Sequence, residues 1–193
     1  MIIPLSVNHT AQIAKIHEKA LSGDFLPSLG AHFLKTFYAG IVSIPDVYGF
    51  VYQDSGEIKG FIVGTVNSER FFFKVLSGNF IKLSFLLMFQ LVKKPSIIKN
   101  IFETFLYPKK ETGPKAELVI VAVSSKNHGK GIGKKLIHSL EDVFKKRLIK
   151  EYKLSVHADK KAMGFYKHLG YSRISSFHLY GKIWYVYAKK ILC

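Results

Sequence analysis

The 193-residue chain carries 29 lysines and arginines against 13 acidic residues, a formal net charge of +16, and 48% of it is apolar. That length and apolar content supply a core and exclude a disordered or low-complexity chain. A single cysteine, Cys193, excludes an internal disulfide, and the excess positive charge points to anionic partners, whether small molecule, nucleic acid or acidic membrane surface.

In chain order, Ile2 to Val7 reads as a first strand. Asn8 or Thr10 is placed to cap a helix with Ile13, Ile16, Ala20 and Leu21 on one face. The turn SGDFLPSLG leads into a second helix marked by Leu29, Phe33, Leu34, Phe37 and Tyr38. Val47 to Gln53 and Ile58 to Val66 alternate like strands around Asp54-Ser55-Gly56-Glu57, a hairpin turn. Residues 67–115 then read as a mainly apolar insertion containing FIKLSFLLMFQLV, which is interrupted by Lys82 and is shorter than the ~20 residues of a membrane span. Two helices packed on the sheet or on a second subunit are expected there. A lid over a lipidic acceptor, or a segment in a membrane interface with lysines on anionic headgroups, is the functional alternative.

The stretch AELVIVAVSSKNHGKGIGKKLI, residues 116–137, organises the rest. Glu117 to Val123 is a near-continuous apolar run, as expected of a central strand. Gly129, Gly131 and Gly133 follow, and Ile132, Leu136, Ile137, Leu140, Val143, Phe144 and Leu148 then recur at helical spacing. A helix beginning in a glycine turn aims unpaired N–H groups and its positive dipole end at whatever binds there. With Lys126, Lys130, Lys134 and Lys135 beside it, the implied ligand is a phosphate or pyrophosphate. A Walker A loop would need Gly at 128 and Ser or Thr at 135, where the chain has His128 and Lys135. A dinucleotide fingerprint would need Gly at 134, where Lys134 stands.

Beyond the loop helix, Tyr152 to His157 alternates like a strand. Asp159 is placed to cap a helix bearing Ala162, Met163, Phe165, Tyr166 and Leu169 and stopped by Gly170. Tyr171 to Tyr180 and Ile183 to Lys190 form a final strand pair around Gly181. The expectation is one α/β domain over residues 1–193, a mixed sheet with a helical insertion at 67–115 between the third and fourth strands. The N-terminal MIIPLSVNHTAQ has no basic n-region or small-residue cleavage site, so a cytoplasmic protein, membrane-associated if the insertion touches lipid, is expected. Neither an aromatic RNA-binding pattern nor a zinc spacing accompanies the charge, and nucleic acid is not the expected partner.

His128-Gly129-Lys130-Gly131-Ile132-Gly133 resembles the acyl-coenzyme A loop [Q/R]-x-x-G-x-[G/A] of the GNAT acetyltransferases, with His128 in place of Gln or Arg. LSVHADKKAMGFYKHLGY, residues 154–171, is similar to that family's second pattern, with Asp159 in place of Asn and Ala162, Phe165, Tyr166, Gly170 and Tyr171 as expected. The resemblance implies acetyl-CoA as co-substrate, its pyrophosphate held by the amides of 129–133 with Lys134 near by. It implies an acyl carbonyl polarised near Val121, Val123 pairing with the pantetheine arm, and Tyr166 protonating the leaving sulfur. Glu117 falls where Gcn5-type enzymes carry a glutamate base; a solvated strand-start residue is the other reading. His157 and His17 are reserve bases, Asp159 either touches the coenzyme or caps its helix, and Tyr166 either donates its proton or packs. The expected reaction is acetyl transfer to a primary amine of a small molecule, an amino sugar by faint likeness around residues 22–38. The other readings are a non-catalytic acyl-CoA-binding module and a basic membrane- or nucleic-acid-associated protein. The insertion and the last strand are the candidate homodimer contacts.

Overall fold

The computed structural model describes residues 1–78, 80–110, 113–158 and 160–191. A seven-stranded sheet forms the frame, built from β1 (Ile2–Pro4), β2 (Val47–Asp54), β3 (Glu57–Thr65), β4 (Glu117–Val123), β5 (Glu151–His157), β6 (Ser172–Leu179) and β7 (Lys182–Lys190). Its order is β1-β2-β3-β4-β5-β7-β6, and every neighbouring pair is antiparallel except β4 and β5. The β2–β3 hairpin turns at Ser55 and Gly56, both at positive φ, as the Asp-Ser-Gly-Glu stretch anticipates.

One face of the sheet is covered by α1 (Thr10–Ala20), the short α2 (Phe25–Ser28) and α3 (Ala31–Val42). Helical segments of the insertion's described residues join them: α4 (Phe71–Gly78), α5 (Phe80–Lys93) and α6 (Ile97–Lys110). Phe71, Val75, Leu83 and Ile97 are buried in the same cluster as Phe37, Phe61 and Ile120, so the insertion extends this core and does not stand apart from it. The opposite face carries α7 (Ile132–Lys146) and α8 (Lys160–His168), with Leu136, Ile137, Leu140 and Phe144 packed on Ile62, Tyr152 and Leu154. Gly64 permits that packing, because a Cβ there would lie 2.6 Å from Leu140. No helix among the described residues is long and apolar enough to cross a membrane.

Several sequence expectations shift. The first strand stops at Pro4, and Ser6 forms a capping box with His9 over a short turn, so neither Asn8 nor Thr10 caps α1. Leu148 is not on the buried stripe of α7. It sits at φ +56 with its side chain exposed, and Ile149 N–H bonds back to the Phe144 carbonyl at 3.0 Å to close the helix.

α7 is tied to the far half of the sheet by a buried polar cluster. Tyr152 donates to Glu141 Oε1 at 2.7 Å, Lys189 reaches the same carboxylate at 2.7 Å, and the Tyr152 and Tyr171 hydroxyls share a hydrogen bond. Burial opposes ionisation of Glu141, but its bonds from Lys189, Tyr152 and His138 outweigh that and hold its carboxyl below the usual range. A depressed carboxylate stabilises the fold above its unfolded value, and the contribution is lost as pH falls through the folded value. Glu141→Gln leaves Lys189 half-paired and is expected to cost roughly 1–3 kcal/mol. The expected loss in Tm at pH 7 is about 2–12 °C. Its Tm should also fall less steeply than the parent's below about pH 4.3. Melting curves at pH 7 and pH 3 check both.

Candidate active site

β4 and β5 pair only at Glu117–Lys153 and Leu118–Leu154, then part. Each keeps its outer neighbour: β4 pairs with β3 as far as Val123, and β5 pairs with β7 as far as His157. A wedge therefore opens between the two central strands. Next to it β4 is bulged. Val63 opposes Ile120 and Gly64 opposes Leu118, which leaves Val119 as the extra residue. Val119 and Ile120 consequently face the α1 side together, while Leu118 and Val121 face α7. A bulge frees a main-chain amide from the ladder and re-aims it, beside a gap where a ligand can enter.

The wedge widens into a cavity of about 450 Å³ that reaches both faces of the sheet. From the α1 side it is lined by His17, the 20–26 loop including Asp24 and Phe25, Tyr180 and Trp184, and from the other side by Tyr166 of α8. Between them stand Glu117 to Val121 of β4 and Leu154 to His157 of β5. Glu117 is only 4% exposed, so it is not a solvated strand-start residue.

Burial pushes the Tyr166 phenol up to about 12, so it keeps its proton through neutral and alkaline pH. His17 shares a 2.6 Å hydrogen bond with Tyr38, and burial lowers it to about 4, which leaves a neutral, weakly basic ring. His157 packs edge-on against Trp184 at 5.8 Å. Asp24 is half-buried; burial raises its carboxyl, with Lys182 and His157 pulling the other way. Lys182 also donates to the Gly23 carbonyl at 3.0 Å, closing the final hairpin onto the 20–26 loop.

The glycine loop lies at the end of β4. Gly129 and Gly131 adopt φ +76 and +73, and a Cβ added to either would meet open space, so conformation demands glycine here. Gly131 caps α7 in the left-handed conformation and accepts the Lys135 amide at 3.0 Å. Among the described residues the amides of Gly129, Lys130, Gly131, Ile132 and Gly133 have no main-chain acceptor, nor does that of Lys134. These donors, the helix dipole and the exposed Lys126, Lys130 and Lys134 fit a diphosphate. His128, off-pattern in the sequence, bonds the Val123 carbonyl at 2.8 Å and fixes the loop to the strand end.

The structure thus gathers Glu117, Val121 and Tyr166 on one cavity, with Val123 and the 128–134 loop at the adjoining strand end. Asp159 lies outside the described residues. Asp24, Phe25, Tyr180 and Trp184 were not anticipated. The only sequence signal for them was the Gly-Asp-Phe turn, a pattern that many surface loops share.

Residues 110–191 match the family model described as Acetyltransferase (GNAT) domain. No curated protein matches the chain by sequence. Among solved structures, the ribosomal-protein-S18-alanine N-acetyltransferase from Escherichia coli shares 15% identity at a TM-score of 0.63, over 99% of this chain and 93% of that one. Aminoglycoside 6'-acetyltransferase type Ii shares 16% at 0.64, covering 100% and 98%. PaiA N-acetyltransferase from Thermoplasma acidophilum, solved in complex with coenzyme A, shares 15% at 0.59, covering 98% of each chain. The fold is the GNAT acyltransferase fold, and residues 110–191 within it are similar to the GNAT domain model. GNAT acetyltransferases use acetyl-CoA.

A side chain at the left-handed Gly131 is expected to cost roughly 1–2 kcal/mol. Gly131→Ala should therefore lower Tm by about 2–8 °C. Gly164→Ala, in the body of α8 with open space at its Cβ, should leave stability unchanged or raise it by up to about 1 kcal/mol. A Cβ meets open space at both positions, so parallel melts of the two variants isolate the backbone strain at Gly131.

Proposed function

We propose that the protein is an acetyl-CoA-dependent N-acetyltransferase acting on a primary amine of a small molecule, by direct attack within a ternary complex. The observation that carries this is the wedge between β4 and β5, which joins a row of amides without main-chain acceptors at 129–134 to a cavity holding a half-buried tyrosine and carboxylates. Bound acetyl-CoA would supply an acyl thioester, activated for attack by nitrogen.

The chain's own residues divide the remaining work. The amides of Gly129 to Gly133 hold the diphosphate, assisted by Lys134. The β4 main chain between the bulge and Val121 points a donor at the carbonyl oxygen, where negative charge develops. Val123 pairs with the arm of the donor. Glu117 and Asp24 are the carboxylates on the cavity, and a raised carboxyl such as Asp24 takes a proton from an ammonium group more readily than a solvent-exposed one. As nitrogen bonds to the acyl carbon and the carbon–sulfur bond breaks, Tyr166 gives its proton to sulfur. The products are an amide and a free thiol. The rings of Phe25, Tyr180 and Trp184 wall the acceptor side. That combination supports a compact amine with an apolar face, and an amino sugar is the first class to test.

Saturating acetyl-CoA, at about a hundred times its Kd, should stabilise the fold by about 2.7 kcal/mol. That corresponds to a rise in Tm of about 5–11 °C, and no rise would end the proposal. Tyr166→Phe should keep this shift and lower kcat about a hundredfold or more in a thiol-release assay. A carboxylate base gives a rate that grows as pH rises through its folded value, so the raised Asp24 should place that limb above the ordinary carboxylate range. Asp24→Asn should lower kcat/KM for the amine at least about tenfold and remove the limb, with KM for acetyl-CoA unchanged.

A further inference from the structure

We propose that the outer face of α5 and α6 seats the protein on an anionic lipid bilayer. Along α5, Phe85, Met88, Phe89 and Val92 are each more than half exposed and follow one another at i, i+3, i+4 and i+7, a continuous apolar stripe. Ile98 and Phe102 continue it on α6, again more than half exposed and one turn apart. The inward residues of the same helices, Leu83 and Ile97, are buried in the core, so these exposed side chains face away from the fold. Exposed apolar side chains in such a row mark an interaction surface.

Charge selects the occupant. Lys82, Lys93, Lys94 and Lys99 are exposed around the stripe, and Lys93 lies 4.3 Å from the centre of the Phe89 ring. The described part of these two helices offers one carboxylate, Glu103, and it is occupied by Lys99 and the Tyr180 amide. An apolar stripe bordered by lysines matches an interfacial helix, with its rings in the acyl boundary and its ammonium groups at the headgroups. Each lysine near an anionic leaflet strengthens binding roughly fivefold. A second copy is the poorer occupant, since the contact would bring together two bodies of +16 and juxtapose their lysines. Nucleic acid is poorer still, because Phe85, Phe89 and Phe102 are interleaved with Met88, Val92 and Ile98, which neither stack on bases nor donate to phosphates.

The same helix α6 holds Tyr180, through Glu103 and through a 2.8 Å bond between the Thr104 and Tyr180 hydroxyls. A bilayer seat would therefore lie on the outer side of the helix that supports one wall of the cavity.

The test is co-sedimentation with vesicles of phosphatidylglycerol and phosphatidylcholine in equal parts, or of phosphatidylcholine alone, at low salt (about 50 mM) and at about tenfold more. The parent should bind the anionic vesicles at least about tenfold more tightly, and the added salt should weaken that binding. F85S/F89S/V92S should lose at least about tenfold in affinity while keeping the parent's circular dichroism and cooperative melt. If that variant is misfolded, K93E/K94E decides in its place, with the same loss expected on anionic vesicles only. Three results would each overturn the proposal: the parent remaining in the supernatant at low salt, either folded variant binding like the parent, or a parent dimer that the serine variant dissociates.

Discussion

Parallel strands β4 and β5 share two residue pairs and then diverge, and the rest of the molecule is arranged to survive that divergence. A continuous sheet would have paired the main chain of both strands, and a buried unpaired amide or carbonyl is costly. The halves are held together elsewhere. On one face, α7 packs on β2, β3 and β4 yet sends Glu141 across to Tyr152 of β5 and Lys189 of β7. On the other, Lys182 reaches Gly23, the Phe25 and Tyr180 rings lie 5.0 Å apart, and Tyr180 is bonded to α6. The opening is thus clasped on both faces by side chains.

Charge is distributed unevenly around the wedge. The glycine loop presents free amides, a helix dipole and lysines to an anion, while Asp24 and Glu117 lie within the wedge on an otherwise mostly neutral cavity. In a chain of 13 acidic residues against 29 basic ones, two carboxylates stand on one cavity, with Lys182 acting on Asp24 and Lys153 opposite Glu117 in the strand register. On the proposed reading an anionic donor binds at the glycine loop and an amine comes to the carboxylates, so that two bound molecules meet in the wedge.

What could be read from the sequence is what local geometry dictates. The glycine loop, the valine-rich strand and the α8 pattern each follow from neighbours in the chain, and the hairpin at 54–57 follows from the φ values its residues tolerate. The bulge at Val119 was not legible, because β4 reads as an uninterrupted apolar run and only the register against β3 shows which residue is extra. Leu148 misled for a related reason: its spacing continued the stripe, but the chain turned left-handed to end the helix. Asp24, Tyr180 and Trp184 come from segments far apart in sequence and meet only when the final hairpin closes on the 20–26 loop.

That last point explains why the acceptor is hard to name from motifs. On the proposed reading the donor side is one contiguous strand–loop–helix, so its chemistry is written in consecutive residues. The acceptor side is built from α1, the 20–26 loop and the β6–β7 turn, and the turn is itself fixed by Glu103 and Thr104 of the insertion. Position and tilt of Tyr180 therefore depend on how α6 packs, and α6 packs through Ile97 and Ile101 against the same core that holds Phe37 and Phe71. A change in the insertion can reshape the acceptor wall without altering any residue that touches the donor. On the proposed reading, acceptor choice would depend on the packing between insertion and hairpin, one step removed from the residues that line the cavity.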